Sequence, residues 1–294
     1  MLRIVRVLAP NPSVYTLEGT NTWIVGDGPS IVIDPGPDDP AHHDEVLRAA
    51  GSVAVVLVTH DHEDHGDGAA AFAERANAPL RAWRLAGAQQ IRGGARVEVT
   101  GATLVAVHTP GHSADHVAFF EPAEGGLFTG DAVLGRGTSF IDPPDGDLVA
   151  YLASLHTMLE LHPRTIYPGH GPVVPDAPAK LHEYLAHRAD REEQVLAGLA
   201  AGDTRVQDLV VRIYEGYPPE VHALAARSVT AHLQKLQREG RVKAQGRGGS
   251  QTWIAVVPAA CERCGRPVRS RGRYCSSCSL ALLQGDTEDT AATP

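Results

Sequence analysis

The run His60-Asp61-His62-Glu63-Asp64-His65 gathers histidines and carboxylates at a density that points to metal-dependent chemistry. Imidazole nitrogen and carboxylate oxygen are the ligands that borderline divalent metals prefer. The first two histidines, at alternate positions, can serve one metal. The Asp64-His65 pair can serve a second if the chain turns sharply, which Gly66 permits. A solvated, charged loop is the alternative interpretation, but the spacing favours metal ligands.

Three later segments each place a glycine before a histidine or an aspartate. They are Thr109-Pro-Gly-His112, Phe128-Thr-Gly-Asp131 and Tyr167-Pro-Gly-His170. Nearby, His108 is interpreted as a strand residue or a partner of a metal ligand, and His116 as a substrate-side group or a partner of a ligand. Other histidines, among them His187 and His232, are predicted to be surface or helix residues.

Short strands and helices must carry these residues to one place. The unbroken apolar run Val53–Val58 predicts a strand buried on both faces, and it ends in the histidine run. Further strands that lead toward a histidine or an aspartate are predicted at Thr103–Val107, Val117–Glu121 and Gly126–Thr129. Helices are predicted at Gly68–Asn77 and Asp147–Leu161, so the pattern is two β-rich halves with helices outside.

The histidine run and the three later segments resemble, in their order, the motifs of the metallo-β-lactamase superfamily. The resemblance covers residues 1 to about 170 and implies an α/β fold, the αββα sandwich, with the metal site at one edge. It also implies two divalent metals in the active site, zinc in the first place, with manganese or iron as alternatives. One metal would be held by His60, His62 and His112, the other by Asp64, His65 and His170, and Asp131 would bridge both.

Two metals at such a site share a water molecule and lower its pKa toward neutrality, so that hydroxide is available at pH 7. The resemblance therefore implies a metal-dependent hydrolase in which a metal-bridging hydroxide attacks a carbonyl or phosphorus centre. Asp64 is the candidate for orienting the hydroxide, and His116 is the second candidate catalytic residue. A bridging carboxylate at Asp131 resembles the phosphodiesterase and thioesterase branches and not the class B β-lactamases.

A longer resemblance, to lactamase-beta-2-like hydrolases, extends to about residue 257. It is carried by Gly19-Thr-Asn-Thr-Trp-Ile-Val25, His187-Arg-Ala-Asp-Arg-Glu-Glu193, Val211-Arg-Ile-Tyr214 and Ala231-His-Leu-Gln-Lys-Leu236. This resemblance implies a phosphodiesterase or endoribonuclease acting on single-stranded RNA. Two alternatives stay open. One is a thioesterase similar to glyoxalase II, or another small-molecule acyl hydrolase. The other is a regulator that binds nucleic acid or protein and in which hydrolysis is incidental.

The pattern of predicted elements changes after the predicted catalytic domain, residues 1–177. Residues 178–257 follow the order helix, helix, helix and two-stranded hairpin, which is typical of a linker helix and a winged-helix domain. Two C-x-x-C pairs within 258–282 predict a zinc-ribbon-like module with one structural zinc, with a redox pair or unstructured thiols as alternatives. Residues 283–294 are predicted to be a disordered tail. The predicted zinc ligands are Cys261, Cys264, Cys275 and Cys278.

The formal net charge of −9 argues against a nucleic-acid partner, but the charge is unevenly distributed. From Arg241 to Cys278 there are eight basic residues and one acidic residue, which favours contact of this end with RNA or protein. No apolar run approaches the ~20 residues that a bilayer span needs, and Met1–Pro10 alternates like a strand. These features predict a cytoplasmic protein without a membrane partner, and the winged helix is compatible with a homodimer.

Overall fold

The first part of the chain builds a mixed sheet around the strand that precedes the histidine run. The structure, a computed structural model, describes residues 2–218, 221–246, 248, 251–256 and 264. The strands of this sheet are β1 (Ile4–Leu8), β2 (Asn21–Val25), β3 (Ser30–Ile33), β4 (Val53–Leu57), β5 (Leu80–Ala82) and β6 (Gln89–Gln90). They lie side by side in this order, with antiparallel pairing from β1 to β3 and parallel pairing from β3 to β6.

A second, five-stranded sheet follows in the chain. Its strands are β7 (Arg96–Val99), β8 (Ala102–His108), β9 (Val117–Glu121), β10 (Gly126–Gly130) and β11 (Thr165–Pro168). Their spatial order is β11-β10-β9-β8-β7, antiparallel except for the parallel pair of β10 and β11. The parallel pair brings the carboxyl ends of β10 and β11 together, and both ends lead into predicted ligands.

Alternating side chains place the two sheets face to face. Trp23 and Val25 pack into the core between the sheets, whereas Ile24, one residue along the same strand, packs on the other side against helix residues. The helices on that side are α1 (Pro40–Ala50) and α3 (Ala69–Ala76), with the short α2 (Glu63–Gly66) between them in sequence. Because side chains of a strand alternate between faces, β2 separates two apolar cores.

Two longer helices cover the outer face of the second sheet. These are α4 (Leu148–Glu160) and α5 (Ala177–Ala200), whose buried side chains form a third core with residues of β9, β10 and β11. Asp147 caps α4 by accepting hydrogen bonds from the backbone N–H groups of Val149 and Ala150. Helices outside two facing sheets make the αββα sandwich, so the predicted fold class is confirmed.

The elements after the sandwich follow the predicted order. Helices α6 (Val206–Ile213) and α7 (His222–Arg238) come next, and then the antiparallel hairpin of β12 (Val242–Gln245) and β13 (Thr252–Ala255). The chain divides into two compact units, Met1–Lys235 and Leu236–Pro294. Of the predicted zinc ligands only Cys264 is described; Cys261, Cys275 and Cys278, like the predicted tail, lie outside the described residues. Within the described part of the chain, no helix is long and apolar enough to cross a membrane.

Candidate metal centre

Strand ends and one short helix carry the predicted ligands to one place. His60 and His62 follow β4, Asp64 and His65 lie on α2, His112 lies between β8 and β9, Asp131 follows β10, and His170 follows β11. The structure brings these seven residues into overlapping groups of three, in each of which the ligand atoms lie within 4.8 Å of one another. Residues far apart in the sequence, from His60 to His170, therefore share one site.

Three histidines form the first group, as the resemblance implies for one metal. His60 Nε2 lies 2.9 Å from His62 Nδ1, which in turn lies 3.1 Å from His112 Nε2. His60 is buried, whereas His62 and His112 are half-buried and line a cleft that opens to solvent. Three nitrogen atoms thus converge on one point at the base of the cleft.

The second group contains Asp64, His65 and His170. His170 Nε2 lies 3.1 Å from Asp64 Oδ2 and 3.3 Å from His65 Nε2. The distance from His65 Nε2 to Asp64 Oδ2 is 3.5 Å. One carboxylate oxygen and two nitrogen atoms therefore face one another, a donor set that borderline divalent cations accept.

Asp131 connects the two groups through its two oxygen atoms. Its Oδ1 lies 3.2 Å from His170 Nε2 and 3.4 Å from His65 Nε2, on the side of the second group. Its Oδ2 faces the first group, 3.7 Å from His112 Nε2. This is the placement that a bridging carboxylate requires.

The outward ring nitrogens of four of these histidines have partners that fix the rings. His112 Nδ1 and His170 Nδ1 face the carbonyl oxygens of Phe140 and Gly19, at 2.9 and 3.1 Å. A carbonyl only accepts, so these Nδ1 atoms donate and the Nε2 atoms face the site. The other two contacts are His60 Nδ1 to Thr59 Oγ1 at 2.9 Å and His65 Nδ1 to Asp34 Oδ2 at 2.9 Å.

Asp34 is a functional residue that the sequence analysis missed. It directly follows β3, is 1% exposed, and has a left-handed φ of 50°. Besides His65 it contacts Thr59, whose backbone N–H and Oγ1 both donate to the Asp34 carboxylate at 2.8 Å. The sequence feature that could have identified it is an acid directly after an apolar strand, in Ile33-Asp34-Pro35-Gly36.

Asn21 ties the loop of His170 to the first sheet. Its Nδ2 donates to the carbonyl oxygens of Pro168 and Gly171, each at 2.9 Å. Gly169, in the same loop, must be glycine because a Cβ there would lie 2.6 Å from Asp131 Oδ1 and 2.8 Å from His65 Cε1. The sequence segment around Asn21 thus serves to position a predicted ligand.

Both carboxylates are ionised at neutral pH. Burial raises the pKa of Asp64, but His65 and His170 outweigh it and lower this pKa to about 2. Burial likewise opposes ionisation of Asp131, yet His170 and His65 hold its pKa well below the usual range. Negative charge is therefore available in the second group and at the bridging position.

The histidines divide into two kinds. Burial lowers the pKa of His60 and His112, so both imidazoles are neutral at pH 7 and offer a lone pair. Burial also works against protonation of His65 and His170, but nearby carboxylates prevail: Asp64 and Asp34 raise the pKa of His65, and Asp131 raises that of His170 to about 9. A divalent cation would take the place of those protons.

The donor atoms fit two divalent cations. In a tetrahedral site with metal–ligand distances of about 2.0–2.1 Å, neighbouring ligand atoms lie roughly 3.3 Å apart. The donor–donor distances within the first group are 2.9 and 3.1 Å, and those in the second are 3.1 to 3.5 Å. Neutral nitrogens with inward lone pairs, together with ionised oxygens, repel one another unless a cation or protons lie between them.

The other two singled-out histidines lie around this centre. His108 ends β8 and stacks on Trp83, with ring centroids 3.8 Å apart, so it is a strand residue and not part of the ligand groups. His116 is fully buried, and its ring lies 5.2 Å from that of His60. Its Nδ1 lies 2.8 Å from Thr109 Oγ1, whereas Nε2 has no hydrogen-bond partner among the described residues.

A cleft of about 770 Å³ opens above the ligands. The acidic residues that line it are Asp61, Glu63, Asp64, Asp131, Asp142 and Asp145. The lining includes one arginine, Arg227, and its guanidinium is paired with the Asp142 carboxylate. Tyr15, Leu134, Phe140 and Leu224 make the apolar part. The cleft thus combines an acidic rim with an apolar wall.

Two family models match the chain. Residues 15–86 and 81–170 match the metallo-β-lactamase superfamily, and residues 206–253 match the β-lactamase-associated winged helix domain. The first match contains all seven predicted sandwich ligands, which are the six members of the two ligand groups and Asp131. The second contains α6, most of the hairpin and the helix between them.

Similar proteins cover nearly the same span. The lactamase-like protein adaB of Aspergillus niger is 35% identical over 280 residues, which is 87% of this chain and 87% of that protein. The atrochrysone carboxyl ACP thioesterase of Aspergillus chevalieri is 35% identical over 272 residues, 86% of this chain and 87% of that protein. A metallo-β-lactamase family protein from Thermus thermophilus superposes with a TM-score of 0.72, 23% identity and coverage of 87% and 98%, which shows the fold alone.

Proposed function

The chain belongs to the metallo-β-lactamase superfamily of metal-dependent hydrolases, and we propose that its substrates are acyl thioesters. The main support for this proposal is the lining of the cleft. Besides the ligands Asp64 and Asp131, the described lining holds four carboxylates, and its one arginine is already paired with Asp142. These surroundings disfavour a polyanion, while the apolar wall suits an acyl group with a neutral carbonyl. The 35% identical relative named a carboxyl ACP thioesterase supports the same reaction class.

Seven residues hold two divalent metals in this proposal. They are the six members of the two ligand groups, with Asp131 between them. We expect zinc, and the nitrogen and oxygen donors also suit manganese or iron. When bound, such cations supply Lewis-acid activation of water and stabilise the negative charge that develops on the scissile carbonyl oxygen.

We infer that Asp64 acts on the attacking water. Its side chain is 26% exposed and lines the cleft, and its lowered pKa keeps it ionised. The oxygen that is not directed at His170 can therefore accept a hydrogen bond from water near the carbonyl carbon. His116, being fully buried, does not reach the cleft, so its proposed role is to position His60 through ring packing.

A thioester suits this cleft because its leaving group needs little help from the protein. A thiolate, with a conjugate-acid pKa of about 8.5, departs without general-acid assistance more readily than an alkoxide. Apart from histidines, Arg227 is the one cationic side chain among the described residues that line the cleft, and it is already paired. Tyr15 and Phe140, in edge-to-face contact at 5.9 Å, offer an apolar surface to the acyl chain.

Cleavage of single-stranded RNA has less support. The cleft presents carboxylates where a phosphodiester backbone would lie, and the basic residues that favour RNA fall between Arg241 and Cys278, largely outside the described residues. The structural zinc of the four cysteines also remains a prediction. Both would concern the C-terminal part of the chain and are compatible with thioester hydrolysis in the sandwich.

A substrate panel tests the proposal. Metal-loaded protein is assayed with an acyl thioester, the oxygen ester of the same acyl group, a β-lactam and single-stranded RNA. We expect the thioester to have the highest kcat/KM, and His60→Ala to abolish its turnover. RNA cleavage that His60→Ala abolishes, with no turnover of thioesters, would reject the proposal in favour of the nuclease.

A further inference from the structure

A second cavity, of about 370 Å³, adjoins the metal cleft. Ser139, Phe140 and Leu224 line both, so the two spaces share one wall. The second cavity is lined differently, because two arginines from α5 face it. Arg188 and Arg191 are three positions apart on α5, and residues so spaced lie on the same side of a helix.

Arg188 is a buried guanidinium that pairs with no carboxylate among the described residues. It is 3% exposed, its Nη2 donates to the carbonyl oxygen of Ser139 at 2.5 Å, and its Cζ lies 5.2 Å from the Tyr151 ring centroid. Its Nε has no hydrogen-bond partner in the described part of the chain. Burying a cation that is not paired costs several kcal/mol, so such a group is retained where an anion compensates it.

Arg191 extends the same positive surface. Its guanidinium lies over Tyr214, with Cζ 4.4 Å from the ring centroid, and Nη1 donates to Gln194 Oε1 at 2.7 Å. Its Nε is likewise without a partner among the described residues. The ring below and the glutamine beside it hold the guanidinium in place but leave its charge uncompensated.

The neighbouring groups do not neutralise these charges. Glu183, the one carboxylate that lines the cavity among the described residues, is bound to Lys180 at 2.8 Å. His187 also lines the cavity, and burial together with Arg188 and Arg191 lowers its pKa to about 4. His187 is therefore neutral at pH 7, as expected beside a local excess of positive charge.

We propose that this cavity binds a phosphate group carried by the thiol half of the thioester substrate. Two guanidinium groups present planar, fixed donors of the kind that recognise phosphate oxygens, and the cavity that they line shares a wall with the metal cleft. The pantetheine 4′-phosphate arm, found in coenzyme A and on carrier proteins, joins a thiol to a phosphate; glutathione does not. With the acyl group against Tyr15 and Phe140, such an arm would run past Ser139 into the second cavity.

A binding measurement tests the subsite without hydrolysis. The probes are S-methyl pantetheine 4′-phosphate, a thioether that cannot be hydrolysed, and the same thioether without phosphate, each titrated calorimetrically into the metal-loaded full chain. We expect the phosphate to improve Kd about tenfold or more, as two charge-assisted contacts allow. Arg191→Gln should remove most of this difference. The control is Arg212→Gln, which removes an exposed arginine of α6 that is paired with Asp203. This variant should retain the difference in Kd.

Kinetics give the second readout. This part of the inference rests on the proposed function, so kcat/KM is compared for acyl-pantetheine 4′-phosphate and acyl-pantetheine. We expect a ratio well above one in the wild type, near one in Arg191→Gln, and unchanged in Arg212→Gln. Arg191→Lys keeps the charge but loses the planar fork, and should give an intermediate ratio if Arg191→Gln fails to fold.

The outcomes separate the two ideas. Turnover of both thioesters with a ratio of one in the wild type would overturn the phosphate subsite and leave thioester hydrolysis standing. Arg191-dependent binding without turnover would support the subsite and reject the hydrolytic proposal. Binding that Arg191→Gln leaves unchanged, but that disappears when the metals are removed, would place the phosphate at the metal centre and overturn the subsite. Arg191-dependent binding of a single-stranded RNA oligonucleotide, with none of the thioether, would also overturn the subsite.

Discussion

Asp34 Oδ2 and His65 Nδ1 lie 2.9 Å apart, although the one follows β3 and the other lies on α2, 31 positions later. The same carboxylate accepts hydrogen bonds from the backbone and the hydroxyl of Thr59, whose Oγ1 contacts His60 Nδ1. One buried acid therefore orients a histidine of each ligand group, directly for His65 and through Thr59 for His60.

Removing the charge of Asp34 should loosen the metals. In Asp34→Asn, an NH2 group replaces one of the two oxygens that accept from the Thr59 backbone N–H, the Thr59 hydroxyl and His65. At least one of these three donors therefore loses its acceptor, and the imidazoles are oriented less firmly. We expect metal affinity to fall roughly 10–100-fold, as is usual when a residue that orients a ligand is lost. Zinc titration against a competing chelator measures this. Asp38→Asn, an exposed acid four positions along the chain, should bind like the wild type.

The sandwich and the cysteine pairs should contribute separately to the metal content of the protein. We expect three zinc ions per full-length chain, two in the sandwich and one on the four cysteines. Asp131→Asn should reduce the sandwich content, and Cys261→Ser should remove one ion and leave hydrolysis intact. Elemental analysis, with thioester turnover measured in parallel, checks both. A chelator should lower turnover by about 1000-fold or more, and added zinc should restore it, since metals contribute several kcal/mol of transition-state stabilisation. A full chain that binds two ions and loses none in Cys261→Ser would contradict the cysteine site.

The acyl side of the cleft should depend on Tyr15. This residue is 52% exposed, lines the cleft and packs its ring edge-to-face on Phe140. Tyr15→Ala should raise KM for long-chain acyl thioesters about 5–10-fold, the equivalent of about 1 kcal/mol of lost apolar contact, and change acetyl thioesters little. Val211→Ala, another exposed apolar residue but outside the cleft lining, is the control. An equal effect of Tyr15→Ala on both chain lengths would argue against an acyl-binding wall.

His232 should make the protein less stable in acid. It is 1% exposed, and burial, followed by the charges of Arg188 and Lys235, lowers its pKa to about 3. Between pH 6.5 and 3 the unfolded chain therefore binds a proton at this residue that the folded chain does not, so stability falls as pH drops through this window. The contribution should be about 2 kcal/mol between pH 7 and pH 5.

Urea unfolding at the two pH values measures this contribution. His232→Leu should lose less free energy of unfolding on acidification than the wild type does, by roughly that amount. His156→Leu, at an exposed position of α4, should follow the wild type. Parallel pH dependence of His232→Leu and the wild type would mean that His232 is protonated in the folded protein.

The sequence by itself indicated the fold class and the set of candidate ligands, because four short segments resemble, in their order, the motifs of the metallo-β-lactamase superfamily. Val53–Leu57 is apolar throughout and ends in the histidine run, and the later Gly-His and Gly-Asp segments follow strands in the same way. Local spacing pointed to metal ligands in the histidine run, and the resemblance supplied the full ligand set. The division of the β2 side chains between two cores, in contrast, came from the structure, because Trp23-Ile24-Val25 is apolar at successive positions.

Only the tertiary structure decided which distant groups meet. Asp34 is one acid among many in the sequence, and its role arises because β3 and β4 are parallel neighbours whose ends lie side by side. His187 and His232 are helix residues as predicted, but the packing of α4, α5 and α7 encloses their surroundings. It also leaves Arg188 buried with no carboxylate partner in the part of the chain that the structure describes. The acidic lining of the cleft likewise assembles from several loops. Burial and charge at a site depend on everything packed around it, and spacing along the chain does not contain that information.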